Sequence, residues 1–134
     1  EDDIRETFRL VNNYLDPDGL VLFDFNTVYK YQNVIGDSTI AENRDDCSFI
    51  WENYYDETDQ INEYDLTIFV RQEKGLFRKF TETHFQRGYT LPVIKALVEQ
   101  AGLRFVEALD ADTHGAVRKE SERIYVIARE QGKR

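Results

Sequence analysis

The stretch HFQRGY places His84, Gln86, Arg87 and Tyr89 within six residues. These side chains handle protons and anions. An imidazole whose ordinary pKa lies near neutrality can take a proton from an amine or hydroxyl nucleophile. A planar guanidinium fork can grip a carboxylate or phosphate. In an extended chain, however, successive side chains alternate, so His84 and Gln86 face one way while Arg87 and Tyr89 face the other. One substrate meets all four only if a bulge forms near Gly88. His84 is the candidate base, against the commoner outcome of a half-exposed strand histidine. Arg87 and Tyr89 are candidate substrate contacts, and Arg87 could equally pair with Glu82 or Asp45.

A second group of candidates follows the run LVLFDFN, residues 20–26. Asn26 and Thr27 end what reads as a buried strand. In open α/β sheets ligands sit outside the carboxyl ends of the strands. Both residues are therefore candidate substrate contacts, and the plainer alternative is that they cap the following turn. Tyr29 and Tyr31 lie just beyond and could close over a substrate or simply pack. Trp51, Tyr54, Tyr55 and Tyr64 make the middle of the chain aromatic. Such a surface excludes water and can hold a flat or sugar-like molecule, with Trp51 as the leading contact. Aromatic residues are also ordinary strand formers. No metal site is expected: His84 and His114 stand far apart without ligand spacing, and Cys47 lacks a partner. Asp56, Glu57 and Asp59 lack the spacing of a calcium loop and read as a solvated turn.

The elements that must position these residues are readable in outline. Ile4, Phe8, Val11 and Leu15 recur with helical period, and Asp3 with Glu6 has capping-box spacing. Asp16-Pro17-Asp18-Gly19 ends the helix, with Gly19 expected to accept positive φ. Residues 20–25 form a continuous apolar run, as a strand covered on both faces requires. Residues 29–46 are polar and irregular and read as loops. Alternation from Cys47 onward predicts three antiparallel strands near 48–55, 61–72 and 76–88. A helix is expected from Leu91, with Thr90 as N-cap, Pro92 in the first turn and Gly102 at the end. Val93, Ile94, Leu97, Val98 and Ala101 form its buried stripe. Strands follow at 103–109 and 123–129. The fold class is thus α/β: an incomplete sheet of three core strands with helices, carrying an inserted three-stranded antiparallel β-meander. One domain is expected, divided into a core helix-strand at 1–27, a meander lid at 28–89 and a core helix-strand-strand at 90–134.

The totals narrow the partners. The chain has 134 residues, 17 Lys and Arg against 26 Asp and Glu, and a formal charge of −9. Such an excess repels phosphate backbones and anionic lipid, so neither nucleic acid nor a membrane is an expected partner. A single cysteine excludes an internal disulfide and points to a reducing cytoplasm. Methionine is absent even at position 1, so Glu1 reads as a cut. The 20–25 strand lacks a neighbour on one side, and such an open apolar edge favours self-association, for example as a dimer.

Taken in order, LDPDGLVLFDFNT, the insertion with WENYYDE, FVR and HFQRGY, YTLPVIKALVEQAGLRFVEAL and SERIYVIARE resemble the C-terminal half of a class I SAM-dependent methyltransferase. The insertion resembles that of the bacterial small-molecule subgroup, where a small antiparallel sheet covers the active site. Asp18 stands where the family's Leu-x-Pro-Gly-Gly-like turn has its first glycine. The resemblance implies a partial Rossmann-like sheet whose last strand inserts antiparallel between the two before it. It also implies a small-molecule methyl acceptor and S-adenosylmethionine as cofactor of the full-length protein. The family's first strand, its Gly-rich loop and its ribose-binding acidic residue have no counterpart here. The chain alone is therefore expected to bind SAM poorly and to be inactive, its missing N-terminal half being the necessary partner. The alternative is a non-catalytic α/β module that binds a ligand or partner and self-associates.

Overall fold

The computed structural model describes residues 1–134. The chain forms two compact units, one from Glu1–Tyr29 with Tyr89–Arg134 and the other from Lys30–Gly88. No helix is long and apolar enough to cross a membrane.

The first unit begins with α1, Asp2–Tyr14. Its stripe behaves as the period requires: Phe8 is buried, and Ile4, Val11 and Leu15 pack against the same core. The expected capping box does not form. The helix starts early enough that Glu1 is its N-cap, without a side-chain cap bond, so Asp3 is already inside it. Glu6 instead accepts two hydrogen bonds from Arg9, at 2.6 and 2.9 Å. At the other end Lys133 Nζ donates to the carbonyls of Asn13 and Leu15, at 3.0 and 2.6 Å. A lysine there satisfies carbonyls that a helix terminus leaves open.

The turn after α1 divides its work differently from the sequence reading. Asp18, not Gly19, has the left-handed conformation, at φ 60. Asp tolerates this better than most residues, and glycine would cost nothing there. Gly19 is required for space: a Cβ on it would lie 2.9 Å from the Asp16 carbonyl oxygen.

Next comes β1, Leu20–Asn26. The other strands of its sheet are β6, Arg104–Asp110, and β7, Arg123–Arg129. The order is β1-β7-β6, and β7 runs antiparallel to both neighbours, with Phe23 opposite Val126 and Val126 opposite Ala108. The last strand has thus inserted between the two that precede it in the unit, as the resemblance implied. Phe25, Ile124, Val126 and Ala128 are buried in a core with Phe8, Ile94, Leu97, Val98 and Leu103. The other face is open, with Leu20 55% and Leu22 64% exposed. The continuous apolar run asks for cover on both sides, and α1 and the second helix supply one.

That helix, α2, spans Leu91–Gln100 with Pro in its first turn. Ile94, Leu97 and Val98 are buried, whereas Val93 is 37% exposed; the buried stripe is narrower than the apolar one. Thr90 occupies the N-cap position without a side-chain bond. Gly102 follows the helix at φ 87, the conformation glycine adopts readily.

The second unit is a four-stranded antiparallel sheet in the order β2-β3-β4-β5. Here β2 is Thr39–Asn43, β3 Cys47–Asp56, β4 Ile61–Arg71 and β5 Phe77–Arg87. The last three match the expected strands to within one residue at each end. The fourth, β2, and a π-helical turn at Lys30–Ile35 lie in the stretch read as loops. Their signal is weak because β2 is short and exposed throughout, so nothing imposes an apolar alternation on it.

Candidate functional site

Two places bring candidate residues together, one in each unit. The first is the carboxyl end of β1. Thr27 forms a parallel bridge with Tyr89, the Tyr89 amide donates to the Asn26 carbonyl at 3.1 Å, and the Val28 amide donates to that of Tyr89 at 3.2 Å. Asn26, Thr27 and Tyr89 therefore meet through their main chains. The Thr27 side chain is buried, and its hydroxyl lies 2.7 Å from the Ser121 carbonyl oxygen. A hydroxyl has one proton to give, so this one already ties β1 to the segment before β7. Asn26 and Tyr29 are half-buried.

At the same end of the sheet lies a group the sequence did not single out. Asp110 ends β6, is buried, and accepts the Ser121 hydroxyl at 2.6 Å and the amides of Asp112 and Thr113 at 2.9 and 3.0 Å. The Ser121 hydroxyl and these amides hold its pKa down to about 2, from an ordinary 3.8. Ser121 Oγ in turn accepts the Arg118 amide at 2.9 Å. This network fixes the loop of residues 111–122. An Asp at a strand end followed by a polar turn was the available sign of it.

The second place is one face of the four-stranded sheet. Register puts Trp51 opposite Leu66, Phe49 opposite Ile68, and Asn53 opposite Tyr64. It places His84 opposite Tyr64 and Gln86 opposite Asn62 on the far side of β4. Trp51 meets Tyr64 edge-on with ring centroids 5.4 Å apart, and Tyr64 stacks on His84 at 5.0 Å. The sheet thus joins Trp51, Tyr64 and His84 in one row across three strands. His84 Nε2 lies 2.9 Å from Glu82 Oε2. With Nε2–H donating to that carboxylate, Nδ1 is the ring atom able to accept a proton.

One end of this face is closed and polar. Tyr31 is buried, stacks on Tyr55 at 6.3 Å, and donates its hydroxyl to Gln86 Oε1 at 3.2 Å. A ring so held is a fixed wall rather than a closing flap. Asn62 Nδ2 donates to Asn53 Oδ1 at 3.2 Å, and both side chains are buried. Beside that end the face carries an apolar patch. Cys47, Ser48, Phe49, Trp51, Tyr64, Leu66 and Ile68 line a groove of about 350 Å³. Burial pushes the Cys47 thiol pKa upward, with Asp46 adding to the effect, so the thiolate is disfavoured.

Arg87 does not join this group. The strand alternation puts it on the opposite face from His84, where its Nη1 donates to the Asp59 carbonyl at 3.0 Å. No group of three or more His, Cys, Asp or Glu residues is placed to hold a metal ion. No strand leads into a helix through a glycine-rich turn, the element that cradles a dinucleotide-like cofactor. The β5-to-α2 connection carries only Gly88. The residues present thus do not by themselves make a SAM site.

Comparison with known proteins places these observations. No protein-family model matches the chain. It is 31% identical over 129 residues to a candidate methyltransferase of Geobacillus sp. (strain WCH70), covering 96% of this chain and 52% of that protein. It is 28% identical over 128 residues to the candidate methyltransferase YqeM of Bacillus subtilis (strain 168), covering 96% and 51%. Among solved structures it is similar to an S-adenosylmethionine-dependent methyltransferase from Clostridium acetobutylicum. That match has 27% identity and a TM-score of 0.88, over 98% of this chain and 52% of the other. The fold is also that of the CcbJ methyltransferase from Streptomyces caelestis, with 17% identity and a TM-score of 0.75, over 97% and 54%. The chain spans about half the length of the curated relatives it matches. In sequence and fold the chain is similar to about half of each of these proteins, which is consistent with a C-terminal fragment of a class I methyltransferase, and the Clostridium relative is SAM-dependent.

Proposed function

We propose that this chain is the substrate-side portion of a SAM-dependent methyltransferase that acts on a small-molecule acceptor and is inactive without its SAM-binding half. The observation that carries the reading is the β1-β7-β6 order with β7 antiparallel to both neighbours. Helices cover one face of that sheet, and β1 is an edge strand, met on its open side only by the main chain of Tyr89 at its end. A sheet so cut needs further strands, and the half-length match to the relatives supplies a reason for it.

SAM, held by the half this chain lacks, would supply an electrophilic methyl group. For its part the chain would present and desolvate the acceptor. Residues 28–89 are inserted in sequence between core segments 1–27 and 90–134, and the proposed role of this insertion is that of a lid. In the lid, the row of Trp51, Tyr64 and His84 excludes water, and His84 Nδ1 takes the acceptor's proton while Glu82 holds the ring. In the core unit, taken by itself, Asn26, Tyr29 and Tyr89 are the candidate polar contacts at the strand end, and Thr27 braces that end through Ser121. Arg87, on the opposite face from His84, has its role at the Asp56–Asp59 turn rather than at the acceptor. The acidic charge favours a small acceptor over nucleic acid, and the single free cysteine suits a reducing cytoplasm.

The experiment is methyl transfer from labelled SAM by the polypeptide as its source cell makes it, against a panel of small amines and alcohols. Label should appear on at least one acceptor, and the 134-residue chain alone should give none. A natural polypeptide that neither binds SAM nor labels any acceptor would favour the binding-module reading instead. The edge position of β1 and the open Leu20–Leu22 face also suggest that the isolated chain self-associates. Light scattering that reports a monomer at high concentration would count against it.

A further inference from the structure

We infer that the occupant of the lid groove is an uncharged, largely apolar ring system, seated on Phe49, Trp51, Leu66 and Ile68, and not a phosphorylated carrier. Calling that occupant the methyl acceptor rests on the methyltransferase reading; the binding itself does not. The groove's volume of about 350 Å³ falls in the range of small-molecule sites. Its walls come from facing positions of β3 and β4, so its floor is a pleated, half-buried apolar surface. Ile40 opposite Trp51 and Phe80 opposite Ile68 extend that surface on both sides, 43% and 42% exposed.

Charge decides the class of ligand. No lysine or arginine lines the groove. Two cations lie beside it: Arg78, over the Phe80 ring at 5.1 Å, and Arg44, paired with Glu42 at 3.0 Å. Glu82 and Glu42 stand on the same face, and the chain carries −9 overall. A diphosphate would enter an apolar trough whose neighbouring guanidiniums are already engaged, Arg44 by Glu42 and Arg78 by the Phe80 ring. A neutral ring gains the burial and meets no repulsion. The neutral hydrogen-bonding groups Asn53 and Asn62 stand with His84 at one end of the face, which would orient a polar group of the ring toward the histidine. The indole N–H of Trp51 is buried without an acceptor, which leaves an unused donor beside the ring site.

Trp51 is the sole tryptophan, so its fluorescence and its single indole N–H resonance report on the groove directly. The test is titration of the purified chain with N-phenyl-1-naphthylamine, an uncharged probe, and separately with uridine diphosphate glucose. The naphthylamine should quench Trp51 saturably and shift its indole resonance, and the nucleotide sugar should do neither. Ile68→Glu should weaken probe binding by about tenfold or more. Phe80→Ser, at an exposed edge position, should weaken it less while leaving the fold intact. Three results would overturn the inference: no saturable response to the naphthylamine, a stronger response to the nucleotide sugar, or an indole resonance that moves on dilution without any probe. The last would mean that a second copy fills the groove. None of these readouts uses SAM, so failure here leaves the methyl-transfer test standing, and failure there leaves the groove's ligand class standing.

Discussion

The carboxylate of Asp110 accepts the hydroxyl of Ser121 at 2.6 Å, both side chains being buried at the carboxyl end of β6. Ser121's own carbonyl oxygen takes the Thr27 hydroxyl at 2.7 Å. The end of β1, where ligands of open α/β sheets sit, is therefore held through one serine.

This network gives a pH dependence with a fixed sign. The Asp110 pKa is lowered from 3.8 to about 2 in the folded chain, so its ionised form is favoured by folding. Its contribution is fully present above the unfolded value and is lost as pH falls from about 4 through about 2. Asp110→Asn should lower Tm at pH 7, and its deficit relative to the parent should shrink across that acid window. Thermal scans by circular dichroism from pH 7 downward check this, and a deficit that stays constant would contradict it.

The turn before β1 predicts two opposite outcomes at adjacent positions. Gly19→Ala pushes a Cβ toward a backbone oxygen that cannot move aside, and should destabilise by roughly 1–3 kcal/mol. Asp18→Gly relieves a left-handed φ and should be neutral or stabilising by up to about 1 kcal/mol. Urea titration of both variants measures the pair, and equal losses would disprove the division of roles.

Glu130 is buried after β7, where Oε2 accepts the Asp18 amide at 2.9 Å and Oε1 accepts the Lys133 amide at 3.0 Å. Glu130→Ala strands both donors and should cost about 1–3 kcal/mol. Glu130→Gln keeps an acceptor oxygen and should cost less. If both substitutions cost the same, the carboxylate's second bond contributes nothing.

For the chemistry, His84→Gln in the natural polypeptide should lower kcat by about 10²-fold or more and leave KM nearly unchanged, as loss of a general base does. Arg87→Gln should change neither by much, because Arg87 lies on the other face. Steady-state kinetics on any acceptor that accepts label separates the two. A large loss from Arg87→Gln with a silent His84→Gln would reverse their roles.

Much of the fold was readable because its long elements repeat a clear period. The α1 stripe, the alternation at residues 61–71 and the Pro92–Gly102 bracket each reflect one packed face. What escaped reading had no such pressure. The short, exposed β2 shows no alternation, and the π-helical turn at Lys30–Ile35 has no sequence signature. Of the candidate site, alternation alone separated His84 from Arg87, and the aromatic row of the meander was visible in composition. The pairings of Asp110 with Ser121 and of Glu130 with Asp18 join residues distant in sequence. Their residue types are common in loops, so only the folded chain brings them out. The space required at Gly19 was hidden for a related reason: its glycine served a close approach, while the strained φ fell on the aspartate beside it.

Calorimetric titration of SAM is the most direct test of the central claim, made on the 134-residue chain and on the polypeptide as its source cell produces it. The predicted result is no binding to the chain alone and one saturable site on the natural polypeptide. One-to-one binding of SAM to the chain alone, or none to the natural polypeptide, would contradict it.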